Sequence, residues 1–501
     1  MNFAQTAKNA ATTKLTENGA MAYSTTDNAL LDLFAQIGAL RPRTVTEIEN
    51  KFANALAVDP HLATKMMFYA GNIRGGLGER RTFRICLNYL ARVYPETVIK
   101  NMELIPHFNR WDSLFVLIGT PVEDAMWEFI AKQLNSDMAN TQKSKLSNKA
   151  ISISLLAKWM PTETASNKDT RKLAKLAMEK LEITPRTYRK ILSALRKQIG
   201  VVESLMSAGK WDKIDFSAVP SYAMKHYRKA FGRHEKERFE KYQAALVKGE
   251  TKVNASTLFP YDLVKEYWGK LTYDYRNHTY TAPVDTIIEE QWKALPNYVD
   301  GANNIVVMAD VSGSMAGRPM WTSIGLATYF AQRNRGDYKN LYMTFTSQPH
   351  FISIEGMNTL ASIVGYIKGT DVGYSTNLDR AFELILTHAI ENGVKRSEMP
   401  KALVVISDME IDPFFKSNAN FDFVQKWKSK FERYGYTLPK LVMWNVEARN
   451  DTFLSKSNDV ILASGQSPSV FKSLCGALEG KTAWDFMLDV LNDEMYDCIQ
   501  F

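Results

Sequence analysis

Cysteine is nearly absent: 501 residues contain only Cys86, Cys475 and Cys498, far apart and without a CxxC pair. That excludes a disulfide framework and a thiolate metal site, and it points to a reducing cytoplasm. No apolar run approaches the roughly 18 to 20 residues of a membrane span, and the first twenty residues carry no signal-peptide core. The seven histidines (His61, His107, His226, His234, His278, His350, His388) form no HExxH or HxH pair. GxxxxGK[ST] and GxSxG are missing too, which argues against zinc peptidases, P-loop nucleotide hydrolases and elbow-type serine hydrolases. Gly75-Gly76-Leu77-Gly78 and Gly369-Thr370-Asp371-Val372-Gly373 lack a phosphate-binding lysine and read as turns. With 45% hydrophobic and 23% charged residues, neither a disordered chain nor a coiled-coil rod fits. The length suits two or three domains.

What is abundant is positive charge, and it is localised. Residues 141–250 hold 24 Lys/Arg against 11 Asp/Glu, whereas residues 301–501 hold 19 against 22, so one segment supplies more than the whole net charge of +8. Such a concentration is the footprint of a polyanion binder, with solvated helix faces as the plainer alternative. Arg186, Arg189 and Lys190, and separately Lys225, Arg228 and Lys229, recur at i, i+3, i+4, so each triplet shares a helix face. Arg233 and Lys236 extend the second group. Interleaved aromatics (Trp159, Tyr188, Trp211, Tyr222, Tyr227, Phe231, Phe239, Tyr242) could stack bases, but at helical spacing they are expected in the core. His234, in the most basic stretch, is expected to be structural.

Residues 1 to about 290 read almost wholly helical, with amphipathic stretches at 28–40, 79–94, 122–135, 168–181, 185–199 and 233–247 separated by proline and glycine turns. Many short helices suggest a stacked helical-repeat array. From Asn303 the pattern changes to apolar strands (304–310, 341–347, 351–354, 402–408, 440–446, 459–464) alternating with helices (318–333, 358–367, 377–392, 421–434, 468–475, 483–492). Continuous apolar strands of this kind form an open, mostly parallel α/β doubly wound sheet covered on both faces, with ligands beyond the strand C-termini. The expected domains are 1–295, helical, and 296–501, α/β.

The first strand of that second domain ends in Asp310-Val311-Ser312-Gly313-Ser314. A second loop offers Gly373-Tyr374-Ser375-Thr376-Asn377, and strand ALVVIS ends in Asp408. Two carboxylates and three hydroxyls at one rim are hard oxygen ligands suited to Mg²⁺, Mn²⁺ or Ca²⁺ and not to zinc. They leave the ion under-neutralised with a position open to an outside carboxylate or a phosphate.

Asp310, Ser312 and Ser314, then Thr376, then Asp408 resemble the metal-ion-dependent adhesion site of von Willebrand factor A domains. The resemblance covers about residues 300–501. It implies Ser312, Ser314 and Thr376 as hydroxyl ligands, with Asp310 and Asp408 supplying charge and orienting waters. In the helical part, Asn72-Ile73-Arg74-Gly75-Gly76-Leu77-Gly78-Glu79-Arg80 and Arg110-Trp111-Asp112-Ser113-Leu114 resemble landmarks of the TROVE module of the Ro ribonucleoprotein family. A closer resemblance is to a family catalogued as a domain of unknown function that joins a related helical region to an A-type domain. Lys210-Trp211-Asp212-Lys213-Ile214, Ala230-Phe231-Gly232-Arg233-His234, Leu258-Phe259-Pro260 and Ser407-Asp408-Met409-Glu410-Ile411-Asp412 carry it. These likenesses imply HEAT-like repeats closed into a ring by the A domain, and small structured or single-stranded RNA bound to basic residues. Phage-encoded members imply a host cytoplasm for such chains. Arg74 and Arg110 are alternatively ion-pair partners of Glu79 and Asp112.

The expectation is a non-catalytic RNA-binding scaffold whose A domain holds a divalent cation and docks an acidic partner. One rival is a metal-dependent protein-interaction module without RNA. The other, a metal-dependent phosphodiesterase at Asp310 and Asp408, would want more carboxylates and a general base.

Overall fold

The computed structural model describes residues 7, 10–149, 151–299, 304–345, 348–370, 377–412, 423–455, 460–476, 478 and 480–501. The chain forms two compact units. One holds Met1–Thr82, Pro220–Lys225 and Val253–Asp497, and the other holds Phe83–Val219, His226–Lys252 and Cys498–Phe501. The elements do change character near 295/296, but the units interleave in sequence: the helices up to residue 82 and those of 253–295 fold with the sheet. Burial is the reason. Phe34 stacks on Tyr69 and meets Phe486 edge-on, and a Cβ on Gly38 would stand 2.6 Å from the Cα of Gly465, so backbone packs on backbone there.

Among its described residues the first unit contains three sheets. A hairpin pairs β1 (Thr13–Leu15) with β2 (Met21–Tyr23), and a second pairs β3 (Thr272–Asp274) with β4 (Thr279–Thr281). Both correct the expectation of an almost wholly helical first 290 residues. Strands of three residues are too short to show an alternation pattern. The main sheet has β5 (Ile305–Asp310), β6 (Leu341–Phe345), β7 (Phe351–Ser353), β8 (Ala402–Ser407), β9 (Lys440–Asn445) and β10 (Val460–Ser464) in the order β10-β9-β8-β5-β6-β7. All neighbours are parallel except β6 and β7. Strands β5, β8 and β10 are buried at every residue, which is why they read as unbroken apolar runs. Phe382, Trp427 and Phe431, from the helices Leu378–Glu391 and Phe423–Arg433, pack on one face. The chain leaves β5 toward β6 on one side and returns to β8 on the other. The loops after β5 and β8 therefore emerge side by side at a topological switch point.

The 13–23 hairpin is stitched to this rim. Thr16 Oγ1 donates to the Ile411 carbonyl at 2.7 Å, and Tyr23 and Phe453 exchange backbone hydrogen bonds of 2.8 and 2.9 Å.

The second unit is helical among its described residues. Helix Pro185–Ile199 shows why these segments are discrete: Thr184 caps the Thr187 N–H, Pro185 opens the first turn, and Gly200 stops the helix at φ 71°. The helix expected over 122–135 runs from Glu123 to Ser147. Its polar residue Asp137 is buried, accepting from the Ser154 N–H at 2.9 Å and the Ser154 hydroxyl at 2.5 Å, so polarity did not mark an end. The stretch 233–247 divides into Ser221–His234 and Lys236–Val247 at a non-helical Glu235. Among the described residues no helix is long and apolar enough to cross a membrane.

Candidate functional site

Asp310 ends β5 and Ser407 ends β8 beside it, both fully buried. Asp310 Oδ2 accepts the Ser407 hydroxyl at 2.5 Å, and Oδ1 accepts the Ser312 N–H at 2.9 Å. The Ser312 and Ser314 hydroxyls lie 3.2 Å apart. Asp408, also buried, accepts the Glu410 N–H at 3.2 Å through Oδ1. Its buried Oδ2 meets no donor at normal hydrogen-bond distance among the described residues. Between the two carboxylates, Met409 takes a left-handed φ of 66°, a strained choice for this side chain that holds Asp408 and Glu410 in place. Burial, then the charge of Asp408, pushes the Asp310 carboxyl up to about 7. Burial raises Asp408 too, against the Glu410 N–H, the nearby Ser314 hydroxyl and the Arg449 charge. Two buried carboxylates that resist ionisation together want a cation.

Asp310, Asp408 and the Ser312 and Ser314 hydroxyls sit at one rim and are oxygen donors of the kind a hard divalent ion takes. Thr376, the third expected hydroxyl, lies outside the described residues. Among the described residues no three His, Cys, Asp or Glu side chains gather as a metal-binding group.

Four residues at this rim were not picked out as site residues from sequence. Ser407 had a signal, since it is the last residue of the strand that presents Asp408. Arg449 had none. Its Nη1 stands 3.6 Å from Asp408 Oδ2, near enough for charge attraction and beyond hydrogen-bond reach, and its Nη2 donates to the Ser314 carbonyl. Glu17 accepts from Asn450 at 2.9 Å. Glu410, buried, accepts the Glu17 N–H at 2.6 Å and Asn450 at 3.1 Å.

The basic residues divide by exposure. Arg186, Arg189, Lys190, Lys229, Arg233 and Lys236 are exposed. Lys225 and Arg228 are corrections: both are only 7% exposed. Lys225 is held by Asp262 at 3.3 Å and Glu266 at 4.0 Å and is committed to the fold. Their triplet therefore offers solvent one cation, Lys229. Two clefts of about 590 and 550 Å³ flank helix Pro185–Ile199 and share Arg189, Ser193 and Lys197. Lys210 lines the first, and Lys145 and Lys190 the second. Arg189 also pairs with Glu163. Of the eight aromatics, Tyr188, Phe231 and Phe239 are buried, Trp159, Trp211, Tyr227 and Tyr242 are half-buried and Tyr222 is exposed, while His234 stacks on Trp211 at 3.9 Å.

The landmark motifs are structural here. Asn72 Oδ1 accepts the N–H groups of Arg74 and Gly75 at 2.9 and 3.2 Å, while its amide donates to the Tyr496 hydroxyl at 3.1 Å. A Cβ on Gly76 would stand 2.1 Å from the Tyr69 carbonyl, so only glycine fits. Glu79 pairs with Arg41 at 3.4 Å, whereas Arg74 is exposed. In the other motif Asp112 does pair with Arg110, and with Arg84 at 2.8 Å. The Arg110 guanidinium sits 3.9 Å from the centre of the Trp159 ring.

Residues 304–486 match the family described as Domain of unknown function (DUF7788), and residues 16–110 and 164–302 match Domain of unknown function (DUF2828). Among solved structures, the crystal structure of the Deinococcus radiodurans Ro (RSR) protein covers 90% of this chain and 99% of its own, at 15% identity and a TM-score of 0.35. A protein of Acanthamoeba polyphaga mimivirus, named uncharacterized protein L728, is 30% identical over 502 residues, spanning 93% of this chain and 85% of its own. The chain belongs to the family of that viral protein, and in this chain the residues that match DUF2828 precede those that match DUF7788.

Proposed function

We propose that the protein is a non-catalytic RNA-binding scaffold, its helical-repeat unit carrying the RNA and its von Willebrand A-like sheet holding a divalent cation. The observation that carries the RNA reading is the face of helix Pro185–Ile199. Arg186, Arg189 and Lys190 are exposed there, and the two clefts beside it add Lys145, Lys197 and Lys210. A row of cations with few competing carboxylates suits a phosphate backbone, and phosphate contacts position a strand without reading its sequence. Lys229, Arg233 and Lys236 are further exposed contacts in the same segment. The resemblance of the sequence motifs to the TROVE module favours small structured or single-stranded RNA. A cytoplasmic location, in a host cell if the chain is viral, belongs to the same reading.

Asp310, Ser312, Ser314 and Asp408, with Thr376, would hold Mg²⁺, Mn²⁺ or Ca²⁺. Such a cation supplies positive charge with a ligand position left for a partner's carboxylate. The chain's own residues position it: Ser407 and the Ser312 N–H fix Asp310, and the Glu410 N–H fixes Asp408.

A filter-binding salt titration with a labelled RNA hairpin and an unstructured oligonucleotide tests the RNA reading. A steep salt slope that flattens in Arg186→Ala/Arg189→Ala/Lys190→Ala supports it. No binding even at low salt would leave the metal-dependent interaction module as the better reading, and shortened RNA after incubation with Mg²⁺ would favour a phosphodiesterase.

A further inference from the structure

We infer that Arg449 is a tethered cation that a divalent ion must displace, and so sets the metal affinity of the centre. This rests on the metal reading above. Three contacts carry it. Arg449 Nη1 lies 3.6 Å from Asp408 Oδ2, a buried oxygen that meets no hydrogen-bond donor at normal distance among the described residues. Its Nη2 donates to the carbonyl of Ser314, whose hydroxyl is a proposed ligand. The same two nitrogens also meet two more carboxylates, Nη2 with Glu447 at 3.6 Å and Nη1 with Glu17 at 3.9 Å.

A guanidinium and a divalent ion at the same carboxylate oxygen repel each other, and the more so because that oxygen is buried. The guanidinium therefore gives way when the ion enters. It has a path, because the Arg449 side chain is 31% exposed and that of Glu17 49% exposed. It also has a destination, since the carboxylates of Glu17 and Glu447 already lie within 4 Å of it. Arg318, 3.9 Å from the other oxygen of Glu447, stays on that carboxylate. Movement of Arg449 onto Glu17 reaches the 13–23 hairpin, since Glu17 is tied to Asn450 and its N–H to Glu410. Occupancy of the centre is thereby communicated to the 16–18 turn at the rim.

The test is a Mn²⁺ titration of the full chain followed by electron paramagnetic resonance, with circular dichroism as the check on folding. Arg449→Gln should bind Mn²⁺ roughly tenfold more tightly than the wild type. Arg449→Lys, which keeps the charge, should stay within a few-fold of it, and Glu17→Gln, which removes the destination, should bind a few-fold more weakly. A packing role for Arg449 predicts the opposite sign, so equal or weaker binding by folded Arg449→Gln would overturn the inference while leaving the metal reading intact. Binding by Arg449→Gln alone, with none in the wild type, would be its strongest support. Failure of every folded variant to bind would sink the metal reading, and the inference with it.

Discussion

The rim of the sheet and the face of helix Pro185–Ile199 both gather charge, by opposite means. At the rim Asp310 and Asp408 are buried, and each is fixed by a backbone N–H or a neighbouring hydroxyl. On the helix face the charges ride on long exposed side chains, and little but helical spacing aligns them. A buried carboxylate pair carries a large desolvation cost, so its geometry must be supported and its ligand must neutralise it. An exposed basic row costs little to maintain and gains affinity only by summing many weak contacts. The first arrangement can select an ion, whereas the second can hold a polymer.

That contrast can be broken most sharply at Lys225, which belongs by spacing to the basic face and by burial to the core. Lys225→Ala should lower folding stability by about 3 kcal/mol, because it strands Asp262, and leave RNA affinity nearly unchanged. Chemical denaturation paired with filter binding checks both halves, and a large RNA defect with intact stability would reverse the assignment. Next comes the triple reversal Arg189→Glu/Lys190→Glu/Lys197→Glu. RNA binding should weaken by about a hundredfold or more at moderate salt, and the salt slope should drop by about 2 to 3.

Asp310→Asn keeps the shape of the carboxylate and removes its charge. Its expected signature is loss of the Mg²⁺-dependent rise in melting temperature, with RNA affinity changed less than twofold. Parallel loss of both would merge the two sites into one. The smallest effect is on pH. Because burial raises Asp310 from 3.8 to about 7, its proton is bound more tightly in the folded state. Its contribution without metal is therefore fully present below pH 4 and fades as pH climbs toward 7. Divalent ions compete for the same oxygens, so thermal-shift titrations should show apparent metal affinity rising over that interval. A pH-independent affinity would place the ion elsewhere.

Legibility in the sequence followed the same contrast. Strands β5, β8 and β9 were read to within a residue or two because burial on both faces forces unbroken apolar runs. The rim pattern Asp310, Ser312, Ser314 was visible because one strand end and one tight loop carry it all. Arg449 was invisible, since its neighbours Glu17 and Asp408 are brought to it only by the fold. Charge counting failed at Lys225 and Arg228 for a related reason: period 3.6 says which residues share a face and nothing about which face is covered. The short hairpins lacked enough residues to print any period. Interleaved compact units escaped detection because a change in local pattern near residue 295 marks element type, not packing partner.

The clamp between Thr16 and Ile411 joins residues 395 positions apart. At synthesis speeds of about 5 to 20 residues per second, the segment that completes the rim leaves the ribosome roughly 20 to 80 seconds before its partner exists. During that interval its apolar side chains have no native surface to cover them. Nascent copies are therefore exposed to strand pairing with one another, and a chain cut short before Ile411 would be an aggregation-prone product rather than a smaller version of the same protein.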